Sequence, residues 1–233
     1  MANKIILKLK DGSKIEKESC PFISLVGDNN IVKLKVDTEE VFDNLKGLLI
    51  AVFGNNNEIN LGKIFYPVND TIGLTGLTIN IGNPPEDTLT LGVKREANNC
   101  KINIGDNIII CGARLFLQDS ETSISIGDDC MISWGIDIWC TDVHTVTDLD
   151  GNPTNFSDKI EIGNHVWIGK DVKIGKNTKI SNDSIIGWAS VVTKKFEEPN
   201  VVLAGNPAKI VKRDINWNFR DLHNYQLYRE SLK

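Results

Sequence analysis

An aliphatic side chain returns at every sixth position from Ile162 to Val192, through Ile168, Ile174, Ile180 and Ile186. Small residues keep a fixed phase with it. Gly163, Gly169, Gly175, Ser181 and Gly187 follow one position later, and Val166, Val172, Thr178, Ser184 and Ser190 fall four positions later. A period of six is not helical, because on a 3.6-residue helix the sixth residue is rotated far from the first face. It is a multiple of two, so a short extended segment can carry the aliphatic inward each time. Internal repeats of this kind predict a parallel β-helix, in which three short segments make one triangular coil and small residues fill the corners.

The same pattern extends backwards with interruptions. Aliphatic-polar-aliphatic-Gly recurs at residues 59–62, 79–82, 89–92, 102–105, 124–127 and 160–163, each copy a strand with its corner. Val26-Gly27-Asp28-Asn29-Asn30-Ile31 is echoed by Phe53-Gly54-Asn55-Asn56-Asn57-Glu58-Ile59, and Gly and Asn tolerate left-handed corners. Insertions are expected around 83–87, 94–99 and 118–122. Lys4 to Lys17 reads as a hairpin turning at Asp11-Gly12, and a short helix is expected between Asp37 and Lys46. After Val192 the pattern predicts an exit through Thr193–Asn200, a return at Val201–Ala204 and a turn at Gly205-Asn206-Pro207. Trp217, Phe219, Leu222, Tyr225 and Tyr228 among charges predict a terminal helix packed on the coils or on a neighbouring subunit. The expected organisation is an N-terminal hairpin or edge over 1–22, a β-helix over 23–211 and a helical tail over 212–233.

One interruption falls in the regular half. Counting six from Ile138 lands on His144, and the repeat then stops for a polar loop, 145–158, before resuming at Ile160. Loops ejected from rigid scaffolds are where ligand-handling residues sit.

Composition narrows the partners. In 233 residues the net charge is −5, which argues against nucleic acid or an anionic membrane. The longest apolar run, Leu48 to Phe53, is too short to span a bilayer. Met1 to Lys10 alternates lysines with aliphatics, without the apolar core of a signal peptide. The five cysteines, Cys20, Cys100, Cys111, Cys130 and Cys140, include no CxxC pair. Reduced thiols in a cytoplasmic protein are the expectation.

The three histidines are His144, His165 and His223. His223 lies in the polar tail and His165 at a loop-facing position of a regular repeat. His144 sits where the repeat breaks, and a neutral imidazole is suited to taking a proton near pH 7. Asp142 or Asp148 is available to fix its tautomer. The structural alternative is a solvated loop histidine. A covalent route through Cys140, four residues before His144, is disfavoured, since an inward-facing or corner cysteine is common.

Four features together resemble one family: the hexapeptide run, Thr141-Asp142-Val143-His144-Thr145, Gly163-Asn164-His165-Val166-Trp167-Ile168-Gly169, and Ala204-Gly205-Asn206-Pro207-Ala208-Lys209. They are similar to the left-handed β-helix (hexapeptide-repeat) acyltransferases, in the branch of sugar and polysaccharide O-acetyltransferases. The resemblance is strong from Ile126 to Val211 and weak before Ile59. It implies an all-β fold, a left-handed parallel β-helix with a short C-terminal helix, and the left hand enters only here, since ordinary parallel crossovers are right-handed. It further implies a homotrimer with sites in the clefts between neighbouring β-helices, acetyl-CoA as co-substrate, a sugar or polysaccharide hydroxyl as acceptor, and no required metal. His144 matches the family's catalytic base. Trp167 matches a tryptophan beside the thioester whose backbone N–H faces the developing oxyanion. Gly169, Gly187 and Ala189 would let the pantetheine lie close to backbone N–H and C=O groups. Trp188 departs from the small residue usual there and either narrows the cleft or stacks on the adenine. Gly205 and Lys209 match the phrase that meets the nucleotide end, where Lys194 or Lys195 could assist.

Three other readings use the same scaffold. N-acetylation of a nucleotide-linked amino sugar is one, although no GxGxxG follows a strand here. A zinc hydratase would need three histidines across an interface, and a third ligand is lacking. A non-catalytic trimeric scaffold would have no use for a histidine at the break.

Overall fold

The computed structural model describes residues 2–65, 76–82 and 95–232. The repeat phrase at 89–92 and the insertion expected at 83–87 lie outside the described residues. The chain winds through three parallel sheets that form the faces of a triangular prism. Among the described residues these hold nine, seven and seven strands. One coil illustrates the path: Ser123–Ile126 on the first face, Met131–Ile132 on the second and Ile136–Trp139 on the third.

The sixfold spacing carries the aliphatic from one face to the next, and three steps bring it back in register with its own column, as Ile162 with Ile180. On the first face Leu61, Ile104, Ile126, Ile162, Ile180 and Phe196 lie one above another. Ile110, Ile132, Ile168, Ile186 and Leu203 do the same on the second. Ile79, Leu115, Ile138, Ile174 and Val192 do so on the third. These columns meet along the prism axis, where each isoleucine buried this way contributes about 1.5–3 kcal/mol. Val166, Val172, Thr178, Ser184 and Ser190, the small residues of the repeat, are buried at the corners.

The corners are held by side chains from the next coil. Between the first and second faces, Asp106 Oδ1 accepts from Lys63 N, Asp128 Oδ1 from Asp106 N, Asn164 Oδ1 from Asp128 N and Asn182 Oδ1 from Asn164 N, at 2.7–2.9 Å. The following residues Asn107, Asp129, His165 and Asp183 have φ of 59°, 58°, 53° and 58°. Short polar side chains suit that left-handed position. Between the third and first faces, Asn57 Nδ2 donates to Asn30 Oδ1 at 3.0 Å, and Asn57 Oδ1 accepts from Cys100 N at 2.9 Å.

Both ends differ from the expectation. The hairpin over Lys4–Lys17 forms, but its first strand, Lys4–Leu9, also pairs in parallel with Ile31–Val36, so the stacking reaches Lys4 rather than starting near Ile23. The chain does not leave the coils after Val192: Lys195–Phe196 continues the first face, with Phe196 filling the interior where the shortened corner breaks the sixfold count. Lys14–Lys17 and Lys209–Lys212 pair antiparallel to their neighbours at the two ends. The short helix α1 spans Glu39–Asp43 and is capped by Thr38. The tail helix α2, Leu222–Ser231, buries none of its residues. The chain just before it does pack on the coils: Trp217 is 9% exposed.

Candidate active site

His144 follows the third-face strand Ile136–Trp139 and stands at the corner leading to Lys159–Ile162 on the first face. At other coils this corner is a few residues long, as at Gly175–Thr178. Here it expands into the 145–158 loop, which is a small ordered hairpin: Thr154 N donates to Val146 O at 2.8 Å and Asp148 N to Asn152 O at 2.9 Å.

The backbone that presents His144 is strained and clamped. Val143 has φ 66°, and His144 N donates back to Asp142 O at 2.6 Å, closing a three-residue turn. A β-branched residue there is a genuine outlier costing about 1–3 kcal/mol, and such strain persists only where neighbours over-determine it. The neighbours are identifiable. Thr141 Oγ1 accepts from Val143 N at 2.9 Å, and the Arg95 guanidinium donates to Val143 O. Asn155 Nδ2 donates to both His144 O and Asp142 Oδ2, each at 2.8 Å. Lys176 Nζ reaches Asp142 Oδ2 at 2.6 Å and also donates to Asn155 O. The Lys176 ammonium, with the Asn155 amide behind it, holds the Asp142 carboxyl below the usual carboxylate range.

The imidazole itself is exposed and, among the described residues, makes no hydrogen bond. Neither carboxylate offered by the sequence as its partner contacts it. Asp142 is engaged by Lys176 and Asn155, and Asp148 Oδ1 accepts from Asp150 N and Asn152 N within its own turn. Asn155, Lys176 and Arg95 carried no sequence signal as site residues, and Thr141 entered only as the first residue of the 141–145 motif. For Lys176 the nearest hint was its place at a regular corner directly below the break.

His165 has a different setting. Its ring stacks on Trp217 at 4.3 Å and 10°, Nδ1 lies 2.9 Å from Asp183 Oδ1, and its carbonyl accepts from Trp217 Nε1 at 2.8 Å. It fastens the tail to the corner between the first and second faces, away from His144. His223 lies exposed on α2. Among the described residues no group of three or more His, Cys, Asp or Glu converges as a metal site would require. Cys140 is fully buried, and burial pushes its thiol up to about 12, the opposite of a nucleophile's environment.

The remaining sequence-selected residues line the second face and its corner with the third. Trp167 opens the strand Trp167–Ile168 and is half-buried. Its backbone N–H donates to Ser184 O at 2.9 Å in the ladder, so it does not face an oxyanion as expected from the sequence. Its indole N–H meets no acceptor among the described residues and remains available. The amides of Gly169, Gly187 and Ala189 are likewise spent, on Ile186 O, Leu203 O and Lys170 O at 2.8–2.9 Å, which leaves none of these N–H groups for a pantetheine. Gly169 answers a need inside the protein: a Cβ there would lie 2.8 Å from Trp188 Cδ1. The Trp188 indole is 74% exposed, free at the corner surface. Gly205, at φ 102°, makes the turn before Lys209–Lys212, and the Lys209 side chain is exposed. Within one chain, His144 and this column occupy opposite edges of the third face.

No protein-family model matches the chain. The polysialic acid O-acetyltransferase of Neisseria meningitidis is 34% identical over 177 residues, covering 75% of this chain and 81% of that protein. The galactoside O-acetyltransferase of Escherichia coli strain K12 is 38% identical over 124 residues, 53% of this chain and 58% of that protein. Among solved structures, the polySia-specific acetyltransferase NeuO aligns over 100% of this chain and 96% of its own, with a TM-score of 0.57 at 20% identity. The polysialic acid O-acetyltransferase OatWY aligns over 99% and 97%, with a TM-score of 0.50 at 22% identity. At that identity the two structures speak for the fold alone, a left-handed parallel β-helix.

Proposed function

We propose a reaction from one premise: the chain belongs to the hexapeptide-repeat acyltransferase family, in its sugar and polysaccharide O-acetyltransferase branch. It transfers the acetyl group of acetyl-CoA to a hydroxyl of a sugar or polysaccharide. The observation that carries the assignment of roles is the exposed His144 imidazole, presented on a strained turn that five side-chain contacts hold in place.

In this reading the acceptor hydroxyl approaches His144. An imidazole nitrogen takes the hydroxyl proton as the oxygen attacks the thioester carbonyl carbon. The new O–C bond forms, the C–S bond breaks, and the imidazolium returns its proton to the departing thiolate. General-base help of this kind is worth roughly 10²–10⁴-fold, with alignment supplying much of the rest. Since the Trp167 amide is held in the ladder, its indole N–H is the better candidate to meet the developing oxyanion.

Coenzyme A fits the corner between the second and third faces by its small residues and open surface rather than by free amides. Gly187 and Ala189 keep that column shallow, Trp188 offers an exposed aromatic face, and Lys209 offers a point charge for phosphate. His144 and that column lie at different corners of one chain. A homotrimer, in which the His144 corner of one copy meets the coenzyme column of its neighbour, would complete the site. Acetyl-CoA as donor and five buried thiols support a cytoplasmic location.

The test follows thiol release from acetyl-CoA with free sugars, nucleotide sugars and oligosaccharides, comparing the protein with His144→Ala. Acceptor-dependent release that falls at least about a hundredfold in the variant, with coenzyme A still bound, supports the assignment. Equal rates in both proteins would move the base elsewhere, and failure to bind coenzyme A would remove the reaction altogether.

A further inference from the structure

The outer surface of the third face, between the proposed coenzyme column and the His144 corner, holds a groove of about 310 Å³. Its floor is backbone. Gly76, Gly112 and Gly135 line it, and the first two are in register on neighbouring strands. None of the three adds a side chain of its own, although the Asp171 carboxylate lies against Gly135.

One wall is built from charge. Thr78, Arg114, Asp137 and Lys173 face outward as register neighbours on four successive strands. Arg114 Nε and Nη2 both donate to Asp137 Oδ1 at 2.8 Å, and Lys173 Nζ reaches Asp137 Oδ2 at 2.6 Å. One carboxylate therefore serves two cations, leaving one positive charge at the groove of a chain whose net charge is −5. Exposure is divided the same way: the Asp137 side chain is 16% exposed and the Arg114 side chain 64%. Nη1 has no acceptor among the described residues, so part of the guanidinium fork faces the groove unused.

Two residues beyond Asp137 on the same strand, roughly 7 Å along it, stands Trp139. Its ring packs on Phe116 at 4.8 Å and is 38% exposed. Such a flat apolar surface suits the C–H face of a pyranose. Past Trp139 the chain runs through Cys140 and Thr141 directly into the turn that presents His144.

We propose that this groove is an acceptor subsite for a carboxylate-bearing sugar, with Arg114 as the residue that reads the carboxylate. A guanidinium fork matches a planar carboxylate with two parallel hydrogen bonds, which a lysine cannot do. Trp139 carries the next sugar towards the His144 corner. The acceptor is then an acidic oligosaccharide or polysaccharide. Its place in a reaction rests on the O-acetyltransferase reading, but its binding can be tested without turnover.

The experiment is isothermal titration of the full chain with a sialic acid pentamer, the same pentamer methyl-esterified, a neutral galactose pentamer and a sulfated galactose pentamer. The acid form should bind at least about tenfold more tightly than its ester. Arg114→Gln should erase that preference, and Arg114→Lys should retain only part of it. Circular dichroism melting and coenzyme A binding confirm that each variant is folded. Equal binding of acid and ester, a preference that survives Arg114→Gln, or no binding of any pentamer would overturn the subsite. Sulfated galactose binding as tightly as the acid would reduce it to general polyanion attraction and overturn the carboxylate assignment. Absence of thiol release with any acceptor would instead count against the reaction and leave these binding results standing.

Discussion

Lys176 lies 2.6 Å from Asp142, and through that contact the regular corner of one coil braces the irregular loop of the coil before it. Asn155 completes the brace by bonding both Asp142 and the carbonyl of His144. The catalytic assignment of His144 therefore has mechanical consequences for residues that touch no substrate.

Lys176→Met should lower kcat by roughly 10- to 100-fold through misplacement of the imidazole, with the KM for acetyl-CoA unchanged. Steady-state kinetics reads the split. In the His144→Ala background the same substitution should cost nothing further, because the brace acts only through that imidazole. A full additional loss in the double variant would mean that Lys176 works by another route.

The brace should also respond to acid in a defined direction. The folded Asp142 carboxyl is held below its ordinary value by Lys176. A depressed folded pKa means that its stabilising contribution is complete above the unfolded value and is lost as pH falls through the folded one. The difference in thermal midpoint between the protein and Asp142→Asn should be constant from about pH 5 to 8 and shrink only below about pH 4. A difference that already declines between pH 8 and 6 would contradict the contact.

Asn57 is 2% exposed and serves three buried groups: Asn30 Oδ1, the Ala97 carbonyl and the Cys100 amide. Asn57→Ala leaves the Ala97 carbonyl and the Cys100 amide without their partner, and Asn30 Oδ1 with only the backbone N–H of residue 57. The expected loss is about 2–5 kcal/mol, read from urea unfolding. A change under about 0.5 kcal/mol would show that the corner ladder is dispensable.

Burial pushes both the Cys130 and Cys140 thiols up to about 12. The native protein should resist iodoacetamide at pH 8, whereas the denatured chain should take up five equivalents, counted by mass spectrometry. Because the unfolded thiols ionise first, stability should fall as pH rises past about 9. Cys140→Ala should keep its acetyl transfer rate, and loss of transfer with an intact fold would revive the covalent route.

Much of this architecture is legible in the order of residues because the β-helix makes neighbours in space out of positions a fixed number apart. Ile162 to Val192 is the plainest case, and counting six from Ile138 leads to His144 at the one break in that half. The brace is less legible. Lys176 and Asp142 are 34 residues apart across a loop of irregular length, so no period brings them together, and Arg95 is more distant still. The engagement of the Trp167 amide is illegible for a related reason: a motif match names a residue but does not say which of its donors the ladder has already taken. Phe196 shows that a bulky side chain can replace the aliphatic and shift the count without ending the coil.

The two antiparallel strands at the ends have a bearing on the protein's life in a crowded solution. A stack of parallel strands in register is open to indefinite growth, since each exposed edge is a template for another chain. Lys14–Lys17 closes the edge of the first face beside Lys4–Leu9, and Lys209–Lys212 closes that of the second beside Val202–Ala204, each running against the stack and carrying lysines. A coil arriving in the parallel direction at the N-terminal edge of the first face or the C-terminal edge of the second meets a strand running the wrong way. At each end of the molecule one face in three is thereby closed to the repeat that built it.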